Sequence, residues 1–501
     1  MTVLLPRRLQ VPAAFTAPPL DELTGLQVIP GRTEDRRSAL YDTADLDLTR
    51  WGVRIEHDTR QGWRIELPEV ATIERHVRVL DGGASVPAQV RRTVRALTGD
   101  RPLRRLVRLD VRAVITLLVE AGQDEPVLLL ADEEVSVTEG RRLVARFREQ
   151  VIRPGTGATP ARLDAVEARL CEAGAVALGA GSSRLLDVLG PRASSPPAVL
   201  DGDRGAVGGG VAEEAVAHLR RTLQAVPLLD AHVRLHGQPQ AVAMYASELR
   251  HLRALLGAWD DPTEDEARES VRCAVGGLLQ AADDVVLVDA RRGRIIGAAA
   301  LAGFEPARRQ PLDDRIERDR TESYETLLRR LDRPDVRQAL DAVRSLRPGP
   351  VPADGPPLAT ATARAAERRW GRLCEAVGTA AMAPATEQIG QLLEELAVLG
   401  DVAADAVDDG SAQRFRKRLR RHRRALVRSA RSHETITWLQ RTSMANLDPE
   451  TCFDAGQLAG IERLAATRAD ALLASTWAKL GKPKSTRWLR AVEGPGGSTD
   501  R

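Results

Sequence analysis

A stretch rich in Pro, Gly and Ser, GPRASSPPAVLDGDRGAVGGG at residues 190–210, separates two parts of the chain that have different hydrophobic patterns. Before it, apolar residues alternate with polar ones, as at Val53 and Ile55, a pattern typical of strands with one buried face. After it, apolar residues recur at three- and four-residue spacing, which is typical of amphipathic helices. The sequence therefore predicts an N-terminal part with strands and a C-terminal part made of helices.

The predicted domains are residues 1–192 and 211–495, joined by a linker at 193–210. The first domain combines short strands with two helices, which predicts an α+β fold whose antiparallel sheet is tunnel-like or barrel-like. A second Pro-rich break at 347–359 divides the helical domain into halves with four predicted helices each. We expect this all-α domain to form two stacked four-helix bundles.

Composition excludes several classes of protein. A net charge of +3 over 501 residues is small, so sequence-specific nucleic-acid binding is not expected. Four cysteines stand far apart without metal-ligand or redox spacing, which indicates free thiols in a reducing compartment. The sequence contains no apolar run of membrane-spanning length. We therefore expect a cytoplasmic protein with no membrane partner.

Two motifs in the first domain resemble a known family. The segment YDTADLDLTRWGV at 41–53 and the segment GWRIELP at 62–68 are similar to motifs of the CYTH, or triphosphate tunnel, family. In the helical part, DAHVRLHGQPQAVAMYASELRHLRALLGAW at 230–259 resembles the first signature of the CHAD family, the conserved histidine α-helical domain. The whole layout resembles a CYTH–CHAD fusion protein, which implies inorganic polyphosphate or another polyanion as the ligand.

The resemblance implies a tunnel in which a ring of cations grips phosphate while carboxylates hold a divalent metal. Here Leu4 and Pro6 replace two family acids, and Glu56, Asp58 and Glu66 replace family cations. Such acids repel polyphosphate, so we expect no catalytic residues, no metal site and no cofactor. The residual tunnel residues are Arg8, Arg112, Asp132, Glu149 and Arg184.

The CHAD-like signature is also incomplete. Its histidine position is Ala243 and a following arginine position is Ala246, whereas Arg250 and Arg253 remain. These two arginines are one helical turn apart and can share a face. They are candidates for a weak polyanion-binding site, and a solvated helix face is the alternative.

A second candidate lies at residues 414–431, RFRKRLRRHRRALVRSAR, where ten of the residues are Arg or Lys. Helical spacing places one stripe at Arg414, Lys417, Arg421, Arg424 and Arg428, and another at Arg416, Arg420 and Arg423. Such a stripe can bind polyphosphate, nucleic acid or an acidic partner, although a run of charge is also typical of a purely solvated face.

The sequence as a whole predicts a non-catalytic or barely catalytic protein that associates with polyphosphate or another polyanion. One alternative is an inorganic triphosphatase that depends on Mg²⁺ or Mn²⁺, which requires three or more acids converging inside the sheet. The other is a scaffold that binds a protein partner and no phosphate. A contiguous positive patch in the helical part argues against that second alternative.

Overall fold

A computed structural model of the chain describes residues 6–20, 26–120, 122–123, 125–178, 184–197, 211–258, 266–345, 358–379, 385–406, 410–444 and 448–490. Residues 198–210 of the predicted linker, 347–357 of the second Pro-rich break and Leu4 lie outside the described residues. The chain divides into two compact units, Met1–Gly202 with Asp230–Leu235 and Asp203–Leu229 with His236–Arg501. The domain boundaries remain a prediction.

The first unit contains a nine-stranded antiparallel sheet. Its strands are β1 (Arg7–Val11), β2 (Leu26–Asp42), β3 (Arg54–Asp58), β4 (Gly62–Leu67), β5 (His76–Leu80), β6 (Arg104–Glu120), β7 (Pro126–Glu139), β8 (Arg142–Pro154) and β9 (Val176–Ala177). Their order in the sheet is β5-β4-β3-β2-β6-β7-β8-β1-β9. The sheet and the helical second unit confirm the predicted α+β class.

The meander β6–β7–β8 follows the sequence signals closely. Gly122 lies between β6 and β7 and Gly140 between β7 and β8, and both glycines have a positive φ, of 82° and 59°. A residue without Cβ adopts this conformation at little cost, so the two glycines fix where the long strands reverse.

Strand β2 was not predicted, although at 17 residues it is among the longest in the sheet. Its middle part, GRTEDRR, has charged residues on both faces, so it lacks the alternation of a half-buried strand. It nevertheless forms a ladder with β6 from Leu26 to Asp42, with a register shift between Pro30 and Thr33. Long-range pairing rather than local pattern creates this strand.

Helices cover parts of the sheet. They are α1 (Asp47–Arg50), α2 (Ala88–Thr98), α3 (Pro160–Glu172) and α4 (Arg184–Leu189), followed by a 3₁₀ turn at Pro191–Ser194. Both α2 and α3 were predicted. Helix α3 starts at Pro160 after Thr159, whose hydroxyl accepts the Arg162 N–H, a typical N-cap arrangement. Leu163 and Leu170 of α3 share a core with Leu9 of β1.

The second unit is helical throughout its described residues. Its helices are α5 (Val211–His236), α6 (Pro239–Ala258), α7 (Glu266–Leu301), α8 (Pro306–Leu331), α9 (Pro334–Ser345), α10 (Leu358–Thr379), α11 (Ala385–Ala406), α12 (Ser411–Ser443), α13 (Pro449–Leu480) and α14 (Pro483–Thr486), with a 3₁₀ turn at Arg487–Arg490. The last helix predicted in the first half is two helices, α8 and α9, because Pro334 favours a new helix start.

Two of the hydrophobic cores among the described residues join several of these helices. One contains residues of α7, α8, α12 and α13, including Ile295, Ile316 and Leu458. The other contains residues of α10, α11 and α12, including Leu373 and Leu396. Helices α12 and α13 are 33 and 32 residues long and contribute to both cores. The two cores therefore do not correspond to the two halves of the sequence.

Candidate functional site

One face of the sheet carries a set of charged side chains. Residues alternate between faces along a strand, and directly paired residues share a face. The register therefore brings positions from six strands to one face, namely β1, β2, β3, β4, β7 and β8. We call this set, with Arg75 just before β5, the inner-face cluster; its members are Arg8, Arg36, Arg54, Arg75, Arg153, Glu56, Glu66, Glu133 and Glu149.

Two carboxylates of the inner-face cluster are almost fully buried. The side chains of Glu133 and Glu149 are each 1% exposed. Arg8 Nη1 lies 2.9 Å from Glu149 Oε2 and 3.7 Å from Glu133 Oε2. Arg36 approaches Glu133 at 3.4 Å, and Arg153 also pairs with it. Buried carboxylates need such partners because ionised groups are costly to remove from water.

Glu56 shows how the cluster stabilises a buried negative charge. Burial opposes ionisation of Glu56, but Arg54 at 3.1 Å and a hydrogen bond donated by Ser38 lower its pKa to about 2. In turn, Glu56 raises the pKa of Arg54. Glu66 is paired with Arg75 at 2.8 Å.

These contacts show that the acids of the inner-face cluster are paired with arginines. Five arginines of the cluster face four glutamates. Asp58 does not join them, because its Oδ1 accepts the backbone N–H groups of Arg60 and Gln61 in the turn after β3, at 2.7 and 3.0 Å. Arginines from β1, β2, β3 and β8, with Arg75, supply positive charge to the same face as the four glutamates.

Of the predicted tunnel residues, the structure brings Arg8 and Glu149 together. Arg112 is exposed and follows the inner-facing Val111, so it lies on the opposite face. Asp132 also lies on that opposite face and accepts a hydrogen bond from Arg148 at 2.7 Å. Arg184 begins α4, and its side chain is not described. Within the described part of the chain, no group of three His, Cys, Asp or Glu side chains has the spacing to hold a metal ion.

A second charged site lies in the helical unit. A cavity of about 1070 Å³ opens between α7 and α12, with one lining residue each from α6 and α11. We call it the arginine groove. Its charged lining consists of seven arginines and four acids: Arg250, Arg294, Arg420, Arg423, Arg424, Arg428, Arg431, Asp283, Asp284, Glu394 and Glu434.

The arginines of the groove fall into two groups. Four are held by carboxylates, in the pairs Arg250–Asp283, Arg294–Glu462, Arg420–Asp401 and Arg423–Glu394. The other three, Arg424, Arg428 and Arg431, have no ion-pair partner within 4 Å among the described residues. They lie along about two turns of α12 and give this wall uncompensated positive charge.

Burial and neighbouring charges shift the pKa values of two side chains in the inner part of the groove. Burial and the nearby cations Arg250 and Arg294 lower the pKa of Arg431, while Asp283 acts in the opposite direction. Burial raises the pKa of Asp283, although Arg250 opposes that shift. The groove is therefore a site where positive charges are crowded and partly removed from water.

The groove contains some of the predicted binding residues and not others. Arg250 and Arg428 both line it. Arg253 instead hydrogen-bonds Gln391 at 2.7 Å. Arg414 Nε donates to the carbonyl of Lys484 at 3.2 Å, and Lys417 and Arg421 are exposed outside the lining. The predicted stripe on α12 was thus divided between two faces.

The buried residues of α12 determine which of its faces borders the groove. Its buried side includes Phe415, Leu419, Ala425, Ser429 and Ser432. Much of this buried side consists of small and polar residues, so purely apolar spacing does not reveal it. Arg420, Arg424 and Arg431 lie next to this buried side and line the groove.

Comparisons with known proteins leave the family open. No protein-family model matches the chain, and no curated protein matches it. Among solved structures it is similar to PptA from Streptomyces chartreusis, with 16% identity and a TM-score of 0.43 over 54% of this chain and 100% of that chain. None of the described helices combines the length and apolar character needed to cross a bilayer.

Proposed function

We propose that the chain is a non-catalytic polyanion-binding protein of the CYTH–CHAD type, and that it binds inorganic polyphosphate along the arginine groove. The observation that carries this proposal is the wall of α12, where Arg424, Arg428 and Arg431 have no described ion-pair partner. Uncompensated positive charge in a concave site attracts polyanions strongly. Guanidinium groups also match phosphate oxygens in a bidentate geometry.

The character of the lining favours polyphosphate over single-stranded nucleic acid. No aromatic side chain is among the described lining residues, so bases have no ring on which to stack. Between the charged positions lie Val286, Leu287 and Val427, which offer no hydrogen bonds to base edges. Such a groove recognises charge rather than sequence. Its contiguous cations also favour a phosphate ligand over the alternative of a protein scaffold without one.

The inner-face cluster supports the non-catalytic part of the proposal. A metal-dependent triphosphatase needs carboxylates that are free to bind a cation. Here each of the four glutamates in the cluster faces at least one arginine at ion-pair distance. A divalent ion would have to compete with the protein's own guanidinium groups, and this favours binding without hydrolysis.

A binding isotherm of the purified full chain with long-chain polyphosphate tests the proposal. We expect saturable binding at low salt, with the logarithm of the affinity falling linearly with the logarithm of salt concentration, because bound cations are released. No binding at low salt would overturn the proposal and leave the protein scaffold as the better account.

A further inference from the structure

The arginine groove has acidic residues on the α7 side, opposite the free arginines of α12. Asp283 is paired with Arg250, and its side chain is 36% exposed. The adjacent Asp284 accepts a hydrogen bond from Gln280 at 2.9 Å and forms no ion pair with a described residue. These two neighbouring carboxylates of the same groove therefore have different partners, and of the two only Asp283 holds an arginine.

Several charged groups face Asp283. Arg250 contacts it from α6, Arg431 attracts it from α12, and Asp284 repels it from its own helix. Glu394 of α11 also lines the groove but pairs with Arg423. Asp283 is thus the carboxylate that pairs with Arg250 and attracts Arg431 without pairing with it.

We propose that Asp283 is a built-in competitor for the ligand: it holds Arg250 in the free protein and gives up that guanidinium when a polyanion enters. This inference rests on the proposed function, because it concerns the same groove and ligand. A ligand gains Arg250 only if its own charge density exceeds that of one carboxylate. Asp283 therefore sets a threshold that weakly charged anions do not pass.

The same arrangement couples binding to protons. A phosphate placed beside Asp283 disfavours the ionised carboxylate, and burial already raises the pKa of Asp283. Polyanion binding therefore takes up a proton at this site. Affinity rises as the pH falls through the pKa of Asp283, because protonation releases Arg250.

Two variants with the same loss of charge test the inference. Asp283→Asn removes the competitor, whereas Asp284→Asn removes a neighbouring carboxylate that holds no arginine. The affinity for long-chain polyphosphate is measured against salt concentration at pH 7.5 and against pH at fixed salt. For Asp283→Asn we expect roughly fivefold tighter binding and a salt dependence steeper by close to one phosphate contact, about 0.7–0.9 in slope for nucleic acids.

For Asp284→Asn we expect a smaller gain, an unchanged slope and the parent's pH dependence. Adding Arg250→Gln to Asp283→Asn returns the slope to the parent value. If the Asp283→Asn variant binds polyphosphate and the parent does not, the result also supports the proposed role of Asp283 as a competitor. Equal affinity and equal salt slope in the two single variants would contradict the competitor role of Asp283 and leave the proposed binding function intact. No binding by the parent or by either variant overturns both.

Discussion

Arg8, whose side chain is 30% exposed, forms an ion pair with the buried Glu149 across the adjacent strands β1 and β8, with 2.9 Å between Nη1 and Oε2. The same nitrogen lies 3.7 Å from Glu133. A guanidinium group of the protein itself thus lies between two carboxylates that are each 1% exposed. The positive charge that these buried carboxylates need is therefore supplied by the protein itself.

Replacement of Arg8 by Met is predicted to destabilise the protein by about 3–5 kcal/mol, because it leaves Glu149 buried without its ion-pair partner. The free energy of unfolding from urea titration measures this loss. Arg7→Met is the matched control. Arg7 points to the other face and pairs with the 65%-exposed Asp164 at 2.6 Å and with the 25%-exposed Glu167. Its loss leaves neither carboxylate fully buried, so it should cost about 1 kcal/mol, less than the loss of Arg8.

Equal and small losses for the two variants would contradict a buried role for Arg8. Arg8→Lys provides a second measurement if Arg8→Met does not fold. Lysine keeps the charge but loses the planar fork of the guanidinium, so its stability should fall between that of the parent and that of the Met variant.

The stability supplied by Glu56 should disappear in acid. Its pKa is about 2 in the folded protein and 4.5 without its partners. A lowered folded-state pKa gives stability that is complete above about pH 4.5 and is lost as the pH falls towards 2, with a size of about 3 kcal/mol. The difference in unfolding free energy between the parent and Glu56→Gln should therefore be large at pH 7 and close to zero at pH 2.

Glu34→Gln serves as the control for this experiment, because Glu34 lies on β2 and pairs with the exposed Arg32. Its effect should be small and nearly independent of pH. A difference between parent and Glu56→Gln that stays constant from pH 7 to pH 2 would contradict the assigned pKa.

Local patterns predicted much of the fold and less of the sites. Helices α2 and α3 and the strands β6 to β8 have regular periodicity, so they were predicted. The pairing of Arg36 with Glu133 was not predicted, because it depends on the alignment of β2 with β6 and of β6 with β7. Register over such separations is set by the whole sheet.

The groove shows the same limit in the helical unit. The density of charge identified α12, and the family resemblance identified Arg250. The sequence did not show that Arg294 of α7 and Arg431 of α12 meet in one cavity, because helix packing brings them together across many residues. Nor did it show which arginines are neutralised, since partners such as Glu462 of α13 are remote in sequence.

No phosphate release from tripolyphosphate is expected with Mg²⁺ or Mn²⁺. The reason is that Glu133 and Glu149 are engaged by arginines of the protein. A malachite green assay over several hours measures the release. Metal-dependent turnover that is abolished by Glu149→Gln but retained in the opposite-face variant Asp132→Asn would contradict this expectation.

Two triple variants of α12 test the central claim most directly. Arg424→Gln with Arg428→Gln and Arg431→Gln removes three charges inside the groove. The control, Arg414→Gln with Lys417→Gln and Arg421→Gln, removes three charges from the same helix outside it. Five of these six side chains are exposed, and changes of exposed charge usually alter stability by no more than about 0.5 kcal/mol. Arg431 is partly buried among the cations Arg250 and Arg294, so its replacement removes a crowded charge, and both proteins should fold.

The measurement is the affinity for long-chain polyphosphate as a function of salt concentration. The account predicts that the groove variant binds more weakly and that its log–log salt slope is shallower by about two. The control variant should keep most of the parent's affinity and slope. Equal losses in the two variants would contradict the account, because binding would then follow the total charge of α12 and not the groove.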